Sequence, residues 1–163
     1  MESLASDTGV TRQTVHNLFG TKSQLIEALF DEIAVEAGMN RMGEIMRLSD
    51  PRSMMREFVT AITSFWASQR LLIRRIHGIA AVDPEFGKAV ESRDRRRQMA
   101  AARIVGVFAT KAEKDSDAQT RAKKVATLYA LTSFEFFDAL AETSPDPDVS
   151  GQLLALVEKC MIT

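Results

Sequence analysis

The residues best suited to chemistry are the consecutive polar side chains Arg12, Gln13 and Thr14. At the first turn of a helix they present donors and acceptors that match base edges in a DNA major groove. An arginine grips guanine through two hydrogen bonds, and a glutamine grips adenine in the same bidentate manner. Threonine at position 11 has the side-chain oxygen that starts such a helix, so the spacing predicts a helix over Arg12 to Phe19 with Thr11 as its N-cap. A few residues on, Thr21 and Lys22 open the next helix. The free N–H groups of a helix N-terminus, with a lysine beside them, favour a phosphate.

Such side chains read DNA only if a scaffold pushes their helix into the groove. Ala5 is small enough for two helices to cross closely, Gly9 supplies the positive φ of a tight turn, and Val10, Val15 and Leu18 recur on one face of the second helix. The pattern is that of a helix-turn-helix beginning at its second helix. Over residues 4 to 29, LASDTGVTRQTVHNLFGTKSQLIEAL, the chain resembles the tetracycline-repressor (TetR/AcrR) family of bacterial transcription regulators, whose pattern runs I-A-x-x-A-G-V-S-x-x-T-L-Y-x-H-F-x-x-K-x-x-L.

The resemblance implies an all-α chain with two parts. Residues 1 to 29 form a partial helix-turn-helix DNA-binding domain lacking its first helix, and residues 30 to 163 form a helical domain for effector binding and dimerisation. It implies phosphate contacts for His16 and Asn17, so that the DNA-contacting set comprises Thr11, Arg12, Gln13, Thr14, His16, Asn17, Thr21 and Lys22. It further implies double-stranded operator DNA and a small-molecule effector as partners, and a homodimer formed through the last two helices, a symmetry suited to paired half-sites. An arm and first helix of about 30 to 40 residues are expected to precede Met1. Without that cover Leu4, Val10, Val15 and Leu18 lose part of their burial, at a cost of several kcal/mol when full burial of each is worth roughly 1.5–3 kcal/mol.

With 163 residues, 45% of them hydrophobic and 26% charged, the chain is long enough to bury a sizeable core. It has no apolar run of membrane-spanning length and no n-region and h-region of a signal peptide, which predicts a cytoplasmic protein that stays off membranes. Cys160 is the sole cysteine. That rules out an intrachain disulfide and a cysteine-rich metal site and leaves it as a small apolar residue of the last helix. The net charge of −1 and a pI near 6.1 give no basic surplus. Within residues 1 to 26, Arg12 and Lys22 are balanced by Glu2 and Asp7, whereas phosphate neutralisation needs local cations. In the resembled family the preceding arm and helix often supply them.

Eight glycines and four prolines, with no Asn-Gly or Asp-Gly hairpin signal, leave little room for strands. A helix from Lys22 to about Met46 is expected, carrying Leu25, Ile26, Leu29, Phe30, Ile33 and Ala37 on one stripe, with Gly38 and Gly43 weakening its far end. Asp50-Pro51 opens a helix bearing Met54, Phe58, Ile62, Phe65 and Trp66. Leu71 to Val82 forms an apolar stretch with Arg70, Arg74 and Arg75 on its polar side, and Asp83-Pro84-Glu85 restarts a helix reaching Ala112. A polar segment, Glu113 to Ala118, leads to a helix over Gln119 to Glu142. The break at Thr143 to Asp148 precedes a last helix with Val149, Leu153, Leu156, Val157 and Cys160 on its stripe.

Met54, Phe58, Phe65, Trp66, His77 and Tyr129 supply the apolar walls and polar tips of a cavity between helices. Glu135 and Asp138, three apart among phenylalanines, are placed to hold a cationic, apolar effector. Core packing accounts for the same residues without a ligand. Arg93-Asp94-Arg95-Arg96-Arg97 reads as a solvated helix face rather than a second nucleic-acid patch. Two other functions compete with a ligand-responsive regulator, most simply a repressor. One is a dimerising, ligand-binding protein whose incomplete reader does not hold DNA. The other is a helical enzyme, for which there is no His-x-x-x-His pair, cysteine cluster or glycine-rich phosphate loop, leaving only carboxylate chemistry at Glu135 and Asp138. No catalytic residue, cofactor or metal site is therefore assigned.

Overall fold

A computed structural model describes Gly9, residues 11–112 and residues 118–162. Over those residues the protein is all-α, with no strand. Its helices are α1 (Arg12–Phe19), α2 (Lys22–Glu36), a 3-10 turn (Met39–Arg41), α3 (Met42–Ile45), α4 (Pro51–Ala80), α5 (Pro84–Ala112), α6 (Ala118–Leu131), α7 (Phe134–Thr143) and α8 (Val149–Ile162). No helix among the described residues is long and apolar enough to cross a membrane. Leu4, Ala5, Val10 and the segment 113–117, which figure in the sequence reading, lie outside the described residues.

Local chemistry sets most of these boundaries. The Thr11 side chain accepts the Thr14 backbone N–H at 3.1 Å, which starts α1. Gly20, at φ 67°, ends it by donating its N–H to the His16 carbonyl at 2.7 Å. Thr21 and Gln24 form a reciprocal capping box at 3.2 and 2.8 Å, which launches α2 one residue later. Asp50 accepts the Ser53 N–H at 2.8 Å, and Pro51 occupies the first turn of α4. Asp83 does the same for α5, accepting from the N–H groups of Glu85 and Phe86 at 3.0 and 3.3 Å.

Three sequence expectations are corrected. The helix expected over Lys22 to Met46 ends at Glu36, because Gly38 turns left-handed at φ 75° and a 3-10 turn follows. Leu71 to Val82 is no separate stretch: it falls mostly in the second half of α4, whose 30 residues run about 45 Å at 1.5 Å each. The helix expected over Gln119 to Glu142 is two, α6 and α7, broken where Ser133 becomes extended and caps the Phe136 N–H at 3.1 Å.

Tertiary contacts stabilise that last break. Trp66 Nε1 of α4 donates to the Thr132 carbonyl at 3.1 Å, and Arg97 of α5 donates to the Tyr129 carbonyl and to Thr132 Oγ1. Carbonyls left without a helical partner at the end of α6 are thereby satisfied, and a guanidinium sits where the helix dipole is negative.

Two apolar clusters make up the core. The larger joins α3, α4, α5, α6, α7 and α8 through residues such as Met54, Met55, Phe58, Val59, Ile104, Leu128 and Leu153. The smaller joins α2, the second half of α4, the start of α5 and Phe134 of α7, around Ile26, Phe30, Ile33, Ile73 and Ile76. Trp66 packs against both.

Candidate functional site

The eight-residue α1 packs chiefly on α2. Its outward face carries Gln13, Thr14, His16 and Asn17, all exposed. Gln13 Nε2 donates to Asn17 Oδ1 at 2.8 Å, tying two amides into one polar ridge along the helix. Thr11 Oγ1 and Thr14 Oγ1 lie 2.9 Å apart. The side chains of Arg12 and Val15 lie outside what is described. Leu18, expected on a buried stripe, is 72% exposed, because none of the described helices covers that face.

Thr21 and Lys22 are committed inside the chain. The Thr21 hydroxyl is occupied by the capping box. Lys22 Nζ sits 2.5 Å from Asp83 Oδ2 and 3.3 Å from Glu85 Oε2, at the start of α5. These hydrogen bonds raise the lysine pKa above its ordinary 10.5 and hold the Asp83 carboxyl below its ordinary 3.8. Lys22 is thus a strut between helices, where a free phosphate ligand was expected.

One turn further on, α2 is pinned to α5 again. Arg93 donates to the Glu27 carboxylate, to the Glu27 carbonyl at 3.1 Å and to Asp31 at 2.8 Å, while its guanidinium carbon lies 4.7 Å from the centre of the Phe30 ring. Arg97 is more deeply held, with a side chain only 6% exposed. It stacks 4.0 Å from the Tyr129 ring centre and donates to Asp94 at 3.0 Å. The expectation of a solvated arginine face therefore survives only for Arg95 and Arg96, both exposed. Periodicity explains the difference: Arg93 and Arg97 fall in register with the buried Ala89, Ala101 and Ile104.

Between the two apolar clusters lies a cavity of about 290 Å³. Its walls include Phe58, Phe65, Trp66 and His77 from the predicted ligand set, together with Phe30, Ile62, Ile73, Ile76 and Val90. Asp31, Arg93, Asp94, Arg96 and Arg97 supply its charged side. Met54 and Tyr129 do not line it. Met54 is 1% exposed within the larger cluster, and Tyr129 lies under Arg97. Sequence reasoning missed the arginines, although their spacing of three and four residues already put them on one helix edge.

Glu135 and Asp138 line a separate, open groove, which shares His77 with the cavity. Asp138 is not free to hold a cation. Asp138 receives Arg70 at 2.6 Å and Arg74 at 2.8 Å, and Glu142 receives both arginines at 2.8 Å, so that α4 and α7 are laced by two basic and two acidic residues. Burial raises the Asp138 pKa, but the Arg74 and Arg70 hydrogen bonds outweigh it and leave the carboxyl below its ordinary value. Glu135 Oε1 faces His77 Nδ1 at 3.1 Å. Cys160, expected to be a packed apolar residue, is exposed on α8.

The fold is an all-helical bundle with a short capped helix at one end and an apolar, arginine-edged cavity inside. Neither a protein-family model nor a curated protein nor a solved structure matches the chain.

Proposed function

We propose that this protein is a ligand-responsive transcriptional regulator of the TetR/AcrR type, acting as a repressor, in which α1 reads operator DNA and the cavity between α2, α4 and α5 receives the effector. The observation that carries the reading is the joint between the two. α1 presents Gln13, Thr14, His16 and Asn17 to solvent, and a two-residue link, Gly20-Thr21, passes its orientation to α2, which Lys22 and Arg93 fasten to the cavity helix α5. Operator reading falls to Thr11 through Asn17, with Arg12 and Gln13 at base edges and His16 and Asn17 at phosphates. Two copies joined through α6, α7 and α8 present two such helices to successive major grooves.

The test is repeated selection of duplexes from a random pool by the 163-residue chain at low salt. The reading expects a sequence with two-fold symmetric half-sites about one helical turn, roughly 34 Å, apart. Gln13→Ala then relaxes preference at one base pair, at a cost of about 1–3 kcal/mol for that base. Failure to enrich any sequence overturns it.

A second reading, a ligand-binding dimer that does not hold DNA, is favoured by the commitment of Lys22 and Thr21 inside the chain. It expects the selection to fail while ligand binding succeeds.

A further inference from the structure

The arginines on the charged side of the cavity are unequally partnered. Arg93 is answered by Glu27 and Asp31, and Arg97 by Asp94. Arg96, exposed at the cavity's edge, lines the same cavity and has no partner among the described residues. Arg97, also in the wall, buries its Nε without a hydrogen-bond partner. A buried donor left unanswered costs free energy until something accepts from it, and a guanidinium fork suits a carboxylate best. Much of the remaining wall is apolar, with Phe58, Ile62, Phe65 and Trp66.

We infer that the cavity binds a compact organic anion: a one- or two-ring aromatic or alicyclic body carrying a single carboxylate, with that carboxylate received by Arg96 beside Arg97. The inference rests on the ligand-responsive reading above and assigns the ligand's class. Size limits the body. A dry cavity of roughly 150 Å³ holds benzene, so about 290 Å³ holds two fused rings. Charge sets the head, because Arg96 is the one wall arginine that no carboxylate of the described residues answers, and a single carboxylate would answer it. The sequence expectation was a cationic effector at Glu135 and Asp138, but the Asp138 charge is already taken up by Arg70 and Arg74.

Three isosteric probes test it by calorimetry on the full chain: naphthoate, naphthamide and naphthylmethylammonium. Naphthoate is expected to bind at least about tenfold more tightly than naphthamide, the fold-change of one charge-assisted hydrogen bond, and the ammonium most weakly. Arg96→Gln is expected to remove that preference while leaving naphthamide within roughly twofold. Arg95→Gln, one residue away but outside the cavity wall, is expected to change neither. Ala100→Leu, which fills the cavity, is expected to abolish all binding. Equal affinity for acid and amide, preference for the ammonium, no binding by any probe, or equal losses in the Arg95 and Arg96 variants would overturn the inference. The readout needs no DNA: carboxylate binding without an enriched operator removes only the regulator reading, and an enriched operator without carboxylate preference removes only the ligand class.

Discussion

Replacing Arg93 by alanine tests the joint between α2 and α5 most directly. Four interactions go at once. The carboxylate pairs with Glu27 and Asp31 involve side chains 22%, 40% and 65% exposed, so each is screened and worth about 0.2–1 kcal/mol. The bond to the Glu27 carbonyl at 3.1 Å adds about 1 kcal/mol. Cover over the Phe30 ring, 4.7 Å from the guanidinium carbon, adds about 0.5–1 kcal/mol. Together these come to about 2–4 kcal/mol, concentrated on α2 and the smaller cluster and remote from the larger one.

Hydrogen exchange followed by mass spectrometry separates the two regions. Amides of Lys22–Glu36 are expected to exchange roughly 30- to 800-fold faster in Arg93→Ala, the factor corresponding to that free energy, while those of α8 keep their wild-type rates. Arg93→Lys, which keeps the charge but not the fork, is expected to fall between them. Acceleration in α8 equal to that in α2 would mean that Arg93 supports the whole bundle, and unchanged α2 rates would mean that the arginine fastens nothing. Either result refutes the joint.

The Lys22–Asp83 strut carries a pH dependence. Because the Asp83 pKa is lowered in the folded chain, its contribution is present above about pH 3.8 and is lost as pH falls through the lowered value; because that of Lys22 is raised, its share is present below about 10.5 and is lost as pH rises through the raised one. NMR titration of the Asp83 carboxyl carbon should therefore give a midpoint below 3.8 that moves up in Lys22→Met, and an unmoved midpoint would show that the strut is not formed in solution. Trp66→Phe keeps an aromatic ring but removes the donor to the Thr132 carbonyl, which should lower stability in urea by about 1–3 kcal/mol and speed exchange where α6 meets α7; full stability in this variant would leave the break to Ser133 and Arg97.

What the sequence revealed was mostly what neighbours in the chain decide. Thr11, Thr21, Asp50 and Asp83 cap their helices with side chains acting over three residues, so the starts of α1, α2, α4 and α5 were readable as strings of letters. The division of α6 from α7 was not. The run from Val125 to Phe137 keeps a helical apolar spacing, and the bonds that make a break tolerable come from Trp66 and Arg97, 66 and 35 residues from Thr132. The cavity was half legible for a similar reason. Phe58, Phe65, Trp66 and His77 were found because ligand walls are apolar with polar tips, whereas Met54 and Tyr129 share that composition but are absorbed by packing. Arg93 and Arg97 were hidden because charge suggests solvent. Only their alternation with Ala89, Ala101 and Ile104 tells that two of the arginines turn inward.

Arg93 and Asp31 stand in the cavity wall and in the α2–α5 joint at the same time. That double membership limits how an occupant can act on α1. A ligand shifts an equilibrium only by the difference in its affinity for the two arrangements. A molecule held only by Phe58, Ile62, Phe65 and Trp66 of α4 meets the same surface whether α2 is fastened or free, and it leaves α1 where it was. If the carboxylate on Arg96 also draws on Arg93, it competes with Glu27 and Asp31 for that guanidinium, and its binding is then stronger when α2 has let go. If that competition is worth about 1.4 kcal/mol, a tenfold change in the fastened fraction follows. By reciprocity, DNA that holds α1 in the fastened arrangement must weaken the anion by the same factor. Naphthoate affinity measured with and without the selected duplex gives that factor directly. Equal affinities would mean that the cavity and α1 are independent, whatever each of them binds.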